Sequence, residues 1–245
     1  MSDDVRNVLL GLVASGISAA LGWFVRTYTL NRAFRSKLRF FGLRPGEESL
    51  LVVNGKAGQS SWTVARQDVF ALLELSMLIK ACKSEAKIVP HDAPGTGLGQ
   101  ITEFCIGGPI SNDRMAAHLR NLLPGFTMDV ETESGPQCGA FTVGGEVYRM
   151  EPGHVEYVLL ARLRAHEGAR PIFLICGQRA LTNFAAARYV NRHHAALAQT
   201  HGEQPFCLLL KVVDSEAYGA EVIQLVTDIT QTALSPRPPQ PALQE

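Results

Sequence analysis

The run Ile106-Gly107-Gly108-Pro109-Ile110-Ser111-Asn112 is the strongest candidate for chemistry in this chain. An apolar stretch over 101–106 ends at two glycines, and a Ser-Asn pair then opens a helical pattern. Glycine at such a turn lets backbone approach a ligand closely. The helix start beyond it offers uncommitted N–H groups and the positive end of a dipole. Those are the ingredients of a phosphate or other anion site. A second turn repeats the pattern, with Ile175-Cys176-Gly177 followed by Thr182-Asn183. Each reads as a strand, a glycine, a hydroxyl cap beside asparagine, then a helix with a small-residue face. The expected ligand contacts are therefore Gly107, Gly108, Ser111, Asn112, Gly177, Thr182 and Asn183. Ser111 and Thr182 are the expected helix caps. The same residues would also serve any ordinary strand-to-helix turn.

Two further strand ends join the set. Asn54-Gly55-Lys56 ends the first expected strand and His91-Asp92 the second. Gly55 would let backbone approach a ligand, and Lys56 could meet a phosphate. Asp92 occupies the place where many dinucleotide folds hold a ribose hydroxyl. Gly95-Thr96-Gly97-Leu98-Gly99 precedes a strand instead of opening a helix, so it reads as a loop. Glu103 and Asp92 are the candidate acid–base groups, and Glu156 could also serve as a general base. Glu103 and Glu156 are otherwise expected to be strand-end acids facing water. His193 and His194 are adjacent on a helix and point apart, and no HExxH occurs, so no metal site is expected. No GxSxG or SxxK motif is present, and no cofactor is indicated.

The elements that must position these residues follow from periodicity. Strands are expected over 50–53, 87–91, 101–106, 126–130, 155–163, 172–176, 206–213 and 222–226. Helices are expected over 64–83, from Ser111, and over 182–198. Gly144-Gly145 between short apolar runs marks a two-residue hairpin. Strands alternating with helices imply a mostly parallel sheet covered on both faces. The hairpin and the close pair at 155–176 imply an antiparallel insertion or edge. The expected fold is an α/β, three-layer, Rossmann-like domain. It resembles Rossmann-type nucleotide-binding domains over roughly residues 48–230, without their GxGxxG spacing. The resemblance implies a nucleotide-like ligand at the turns.

Ahead of this domain, residues 8–25 carry no charge. Eighteen helical residues are just enough for a hydrocarbon core of roughly 30 Å. A cleaved signal would want a basic start, whereas this chain opens MSDDVR. Arg26, Arg32, Arg35, Lys37 and Arg39 follow the span, which places the domain in the cytoplasm by the positive-inside rule. The expected organisation is a flank over 1–6, a single transmembrane helix over 7–26 and a basic juxtamembrane segment over 27–46. The domain over 47–234 and a Pro-rich tail over 235–245 complete it. Expected partners are the inner membrane leaflet and a second copy, through the small-xxx-small pairs Ser15/Ala19 and Gly16/Ala20.

The chain carries 23 basic and 23 acidic residues, but beyond residue 40 it holds 17 against 21. A mildly acidic domain is a poor nucleic-acid binder. The five cysteines form no CxxC and suit a reducing compartment. The expected function is a membrane-anchored sensor or regulatory domain for a nucleotide-like or phosphorylated small ligand. The alternatives are an enzyme acting on a nucleotide or nucleoside at the same turns, or a membrane-tethered protein-interaction scaffold.

Overall fold

A computed structural model describes residues 3–55, 63–93, 98–132, 134, 135 and 137–236. Lys56, Gly95–Gly97 and all but the first two residues of the Pro-rich tail lie outside the described residues. The chain opens with one helix, α1 (Asp3–Phe41), long and apolar enough to cross a membrane. Leu12, Val13, Ile17, Leu21, Trp23 and Phe24 along it are more than half exposed.

Beyond it, strands and helices alternate. They are β1 (Glu48–Val53), α2 (Arg66–Ala81), β2 (Glu85–Pro90), β3 (Glu103–Ile106), α3 (Asp113–Leu122) and β4 (Phe126–Met128). After these come β5 (Phe141–Val143), β6 (Glu146–Tyr148), β7 (Val155–Leu163), β8 (Ile172–Gly177) and α4 (Ala180–His201). The series ends with β9 (Phe206–Val213), α5 (Ser215–Tyr218), β10 (Ile223–Asp228) and α6 (Thr230–Leu234). The expected elements are all present, with ends shifted by a few residues.

Seven strands form one sheet in the order β10-β9-β7-β8-β3-β1-β2. β2, β1, β3 and β8 are parallel neighbours. β7 is antiparallel to both β8 and β9, and β10 is antiparallel to β9. Five of the seven strands therefore point the same way. β4, β5 and β6 make a separate antiparallel sheet. Its hairpin turns at Gly144 and Gly145, both with positive φ (61° and 85°), the backbone that two-residue hairpins require.

Alternation along each central strand divides the core in two. Leu51, Phe104, Ile106, Phe173 and Ile175 face α2 and α4. Val52, Cys105, Leu174 and Cys176 face α3, α6 and the small sheet. Strands covered on both faces read as continuous apolar runs, which is why these were legible in the sequence.

The end of α1 belongs to the first of these cores. Phe40 and Phe41 are 2% and 0% exposed and pack on Phe104, Phe173 and Phe206. Arg162 of β7, 3% exposed, locks this junction. Its guanidinium lies between the rings of Phe40 and Phe206, 4.7 and 4.9 Å from their centroids. It donates to Phe40 O (3.2 Å), Gly202 O (2.8 Å) and Gln204 O (2.5 Å). These oxygens close α1 and α4 at their carbonyl ends, where a cation is favoured. Burial lowers the Arg162 pKa to about 10, still charged at neutral pH. Replacing Arg162 with methionine keeps the bulk but strands three carbonyl oxygens. We expect Arg162→Met to cost about 2–4 kcal/mol in urea unfolding of the detergent-solubilised chain. An unchanged midpoint would show that the clamp contributes nothing.

Candidate functional site

The parallel arrangement brings the predicted turns together. β1, β3 and β8 are adjacent, with Val52 opposite Cys105 and Ile106 opposite Ile175, so their carboxyl ends lie side by side. From β1 the chain leaves to α2 on one face, and from β3 it leaves to α3 on the other. β1 and β3 thus flank a topological switch point, where open α/β sheets leave a crevice. A cavity of about 280 Å³ sits there. Gly55, Gly108, Ser111, Gly177 and Asn183 line it, together with Asn54, Asp68, Gln178 and Arg179.

Its polar core is a buried carboxylate. Asp68, in the first turn of α2, is 1% exposed. Asn183 Nδ2 donates to its Oδ1 (2.8 Å) and Asn54 Nδ2 to its Oδ2 (3.0 Å). Asn54 Nδ2 also donates to Ser111 Oγ (3.3 Å), and Asn183 Oδ1 accepts from Gly177 N (2.8 Å). One network therefore joins β1, α2, β8, α4 and the turn after β3. Burial raises the Asp68 pKa, and the two amides only partly offset that. Asn54 Oδ1 is buried with no hydrogen-bond partner among the described residues.

Arg179 supplies the cation. It is the N-cap of α4, with its side chain about half exposed. Glu156 Oε1 holds its Nη1 at 2.6 Å, and also accepts from Gly153 N (2.9 Å) and Ser215 Oγ (3.2 Å). Glu156 is 0% exposed. It is not the water-facing acid that its sequence context suggests. Because β7 is antiparallel to β8, the start of β7 lies beside the end of β8, which places Glu156 against Arg179. Gln178 joins the two sheets at the cavity wall, donating to Gly139 O and Tyr148 O and accepting from Tyr157 N.

The glycines divide by geometry. A Cβ on Gly177 would lie 2.2 Å from Thr182 Oγ1, and one on Gly107 (φ +107°) would lie 2.7 Å from Asn54 Cβ. Both are glycine because packing leaves no room. Gly108 has no such constraint, since a Cβ there meets Met128 Sδ and Cε at 3.4 Å and Gly177 O at 3.8 Å, ordinary contact distances. The caps differ from expectation as well. Asn112, not Ser111, caps α3 by accepting from Met115 N (2.8 Å), and it donates to Ile106 O (2.9 Å). Thr182 lies inside α4 and donates to Arg179 O (2.7 Å). Asn112 and Thr182, both 0% exposed, support the turns from behind the cavity wall.

The proposed acid–base residues Asp92 and Glu103 lie elsewhere. Asp92 lines a separate cavity of about 510 Å³ with His91, Asp113 and His118. Glu103 opens β3, at the opposite end from the glycine turn, and is 2% exposed. Arg114 Nη2 contacts its Oε2 at 2.6 Å and His118 Nε2 its Oε1 at 2.9 Å. Glu103, Cys105 and His118 form the one cluster of three possible metal-ligand side chains found among the described residues. Burial favours the neutral form of Glu103, but His118 and Arg114 outweigh it and hold the carboxyl below its ordinary range. One oxygen is thus committed to the Arg114 ion pair and the other to a hydrogen bond with His118.

Sequence reasoning missed Asp68. Its only local signal is an acid in a helix's first turn, which the dipole favours anywhere. No family model, curated protein or solved structure matches the chain.

Two outcomes follow. Gly177→Ala should destabilise the domain by about 2 kcal/mol or more, whereas Gly108→Ala should stay within about 0.5 kcal/mol; equal effects in thermal unfolding would contradict the division. Glu103 has a folded-state pKa below its unfolded value of about 4.3. Its contribution is complete above that value and disappears as pH falls through the folded one. Glu103→Gln should therefore flatten the acid limb of a stability–pH curve, and an identical limb would rule this out.

Proposed function

We propose that the domain binds a small nucleotide-like or phosphorylated ligand in the cavity at the ends of β1, β3 and β8. We further propose that α1 anchors the domain to the cell membrane as a sensor or regulatory module. The observation that carries the ligand reading is the convergence of three strand-end turns on one crevice at a switch point. Gly108 stands in its wall without a packing reason to be glycine. The Rossmann-like reading of the sheet rests on the same geometry, with helices on both faces and the site outside the carboxyl ends.

The anchor reading rests on the uncovered apolar flank of α1. Nothing among the described residues covers Leu12, Ile17, Leu21 or Phe24. Arg26, Arg32, Arg35, Lys37 and Arg39 follow directly, which favours a cytoplasmic domain against an anionic inner leaflet. The small residues Ser15, Gly16, Ala19 and Ala20 would let two such helices pack closely. A sensor role fits the placement of α4, whose first turn lines the cavity and whose last residues meet the end of α1. An enzyme acting on a nucleotide is the second reading. It is favoured by Asp68, a buried carboxyl of raised pKa in the cavity wall.

A thermal-shift screen of the detergent-solubilised chain against nucleotides and sugar phosphates tests the site. A ligand at 100 times its dissociation constant should add about 2.7 kcal/mol, a shift of several degrees. Gly108→Val should abolish the shift and leave the unliganded midpoint close to that of the parent. A flat screen in all ligand classes would make the turns purely structural and favour the scaffold role.

A further inference from the structure

The cavity has a polarity that narrows its ligand. On its inner wall Asp68 and Asn54 present acceptors in excess of the donors that serve them. A carboxylate offers about four lone-pair sites, and the described residues fill two at Asp68, one on each oxygen. Asn54, 91% buried and in the same wall, has an Oδ1 with no partner among the described residues. A buried acceptor left unserved is costly, so a donor is called for there.

Donors enter the same lining from Arg179 and the start of α4. Arg179 uses one N–H on Glu156, and its guanidinium has further donors with no partner among the described residues. Ala180 begins α4 beside it in the cavity wall, so the first N–H groups of a 22-residue helix and its positive dipole end lie there. A bare metal cation suits the inner wall but is opposed by Arg179 and the helix start. An inorganic anion suits these donors but leaves the inner acceptors unserved. A small molecule with hydroxyl donors at one end and an anionic group at the other satisfies both. The volume of about 280 Å³ is at the lower limit of small-ligand sites, which admits a sugar phosphate and not a whole dinucleotide.

We infer that the cavity recognises a pentose phosphate unit, free or as part of a mononucleotide, with sugar hydroxyls on Asp68 and Asn54 and the phosphate at Arg179 and the start of α4. This rests on the ligand site proposed above. Asp68 is then the residue that separates ribose from deoxyribose.

The test is calorimetric titration of the full chain in detergent with ribose 5-phosphate, 2-deoxyribose 5-phosphate and inorganic phosphate. Ribose 5-phosphate should bind at least about tenfold more tightly than either of the others. Asp68→Asn should remove that preference while phosphate-bearing ligands still bind. Arg179→Gln should weaken both sugar phosphates alike. Equal binding of ribose and deoxyribose phosphates by the parent chain would overturn the inference and leave the phosphorylated-ligand site standing. Binding of none of the three, with nucleotides still protecting the fold, would also overturn it and leave the site. Silence from every phosphorylated ligand would overturn both. Because the parent chain decides between these results, a variant that failed to fold would not rescue the inference.

Discussion

A carboxylate removed from water must be served by other polar groups, and Asp68 is served by two amides drawn from distant parts of the chain. Asn54 follows β1 and Asn183 lies in the first turns of α4, and both donate to the same side chain. The same Asn54 Nδ2 reaches on to Ser111 Oγ, and Asn183 Oδ1 accepts from Gly177 N. The turns after β1, β3 and β8 therefore cannot shift independently, since moving one leaves a buried charge short of a donor. Gly107 and Gly177 belong to the same packing, because Asn54 at one and Thr182 with Asn183 at the other occupy the space where a Cβ would project. The cavity is what remains between elements drawn together in this way, and Gly108 is the turn residue this packing does not explain.

The other end of α4 carries a second buried charge with a different solution. Arg162 has no carboxylate partner among the described residues and is held instead by three backbone carbonyls and two phenylalanine rings. It secures the final turn of α1 inside the domain core. One helix of 22 residues, about 33 Å long, thus carries Asn183 near its start and reaches the clamp at Gly202. The cavity and the root of the long apolar helix thus stand at opposite ends of one helix.

The antiparallel part of the fold completes the cavity. Inserting β7 between β8 and β9 brings the beginning of one strand beside the end of another, so Glu156 meets Arg179. The small sheet supplies Met128 to the wall, and Gln178 fastens it through Gly139 O and Tyr148 O. A purely parallel sheet would have left Arg179 without its buried anchor.

Local pattern in the amino-acid sequence was enough for the strands, the helices, the long apolar segment and the glycine turns at Gly55, Gly108 and Gly177. Period and turn chemistry act over neighbouring residues, so no tertiary information is needed to see them. Local pattern misassigned the caps by one to three residues, placing them at Ser111 and Thr182 instead of Asn112 and Arg179, because serine, threonine and asparagine are all good caps and packing chooses among them. Only the tertiary structure decided which charges are buried. Glu103 and Glu156 read as solvent-facing and Asp68 as an ordinary first-turn acid. Each is buried because its partners, Arg114 and His118, Arg179, and Asn54 with Asn183, arrive from 11 to 115 residues away. A charge enters a core only where such partners meet it, and that meeting is set by strand order, which no local stretch of sequence encodes.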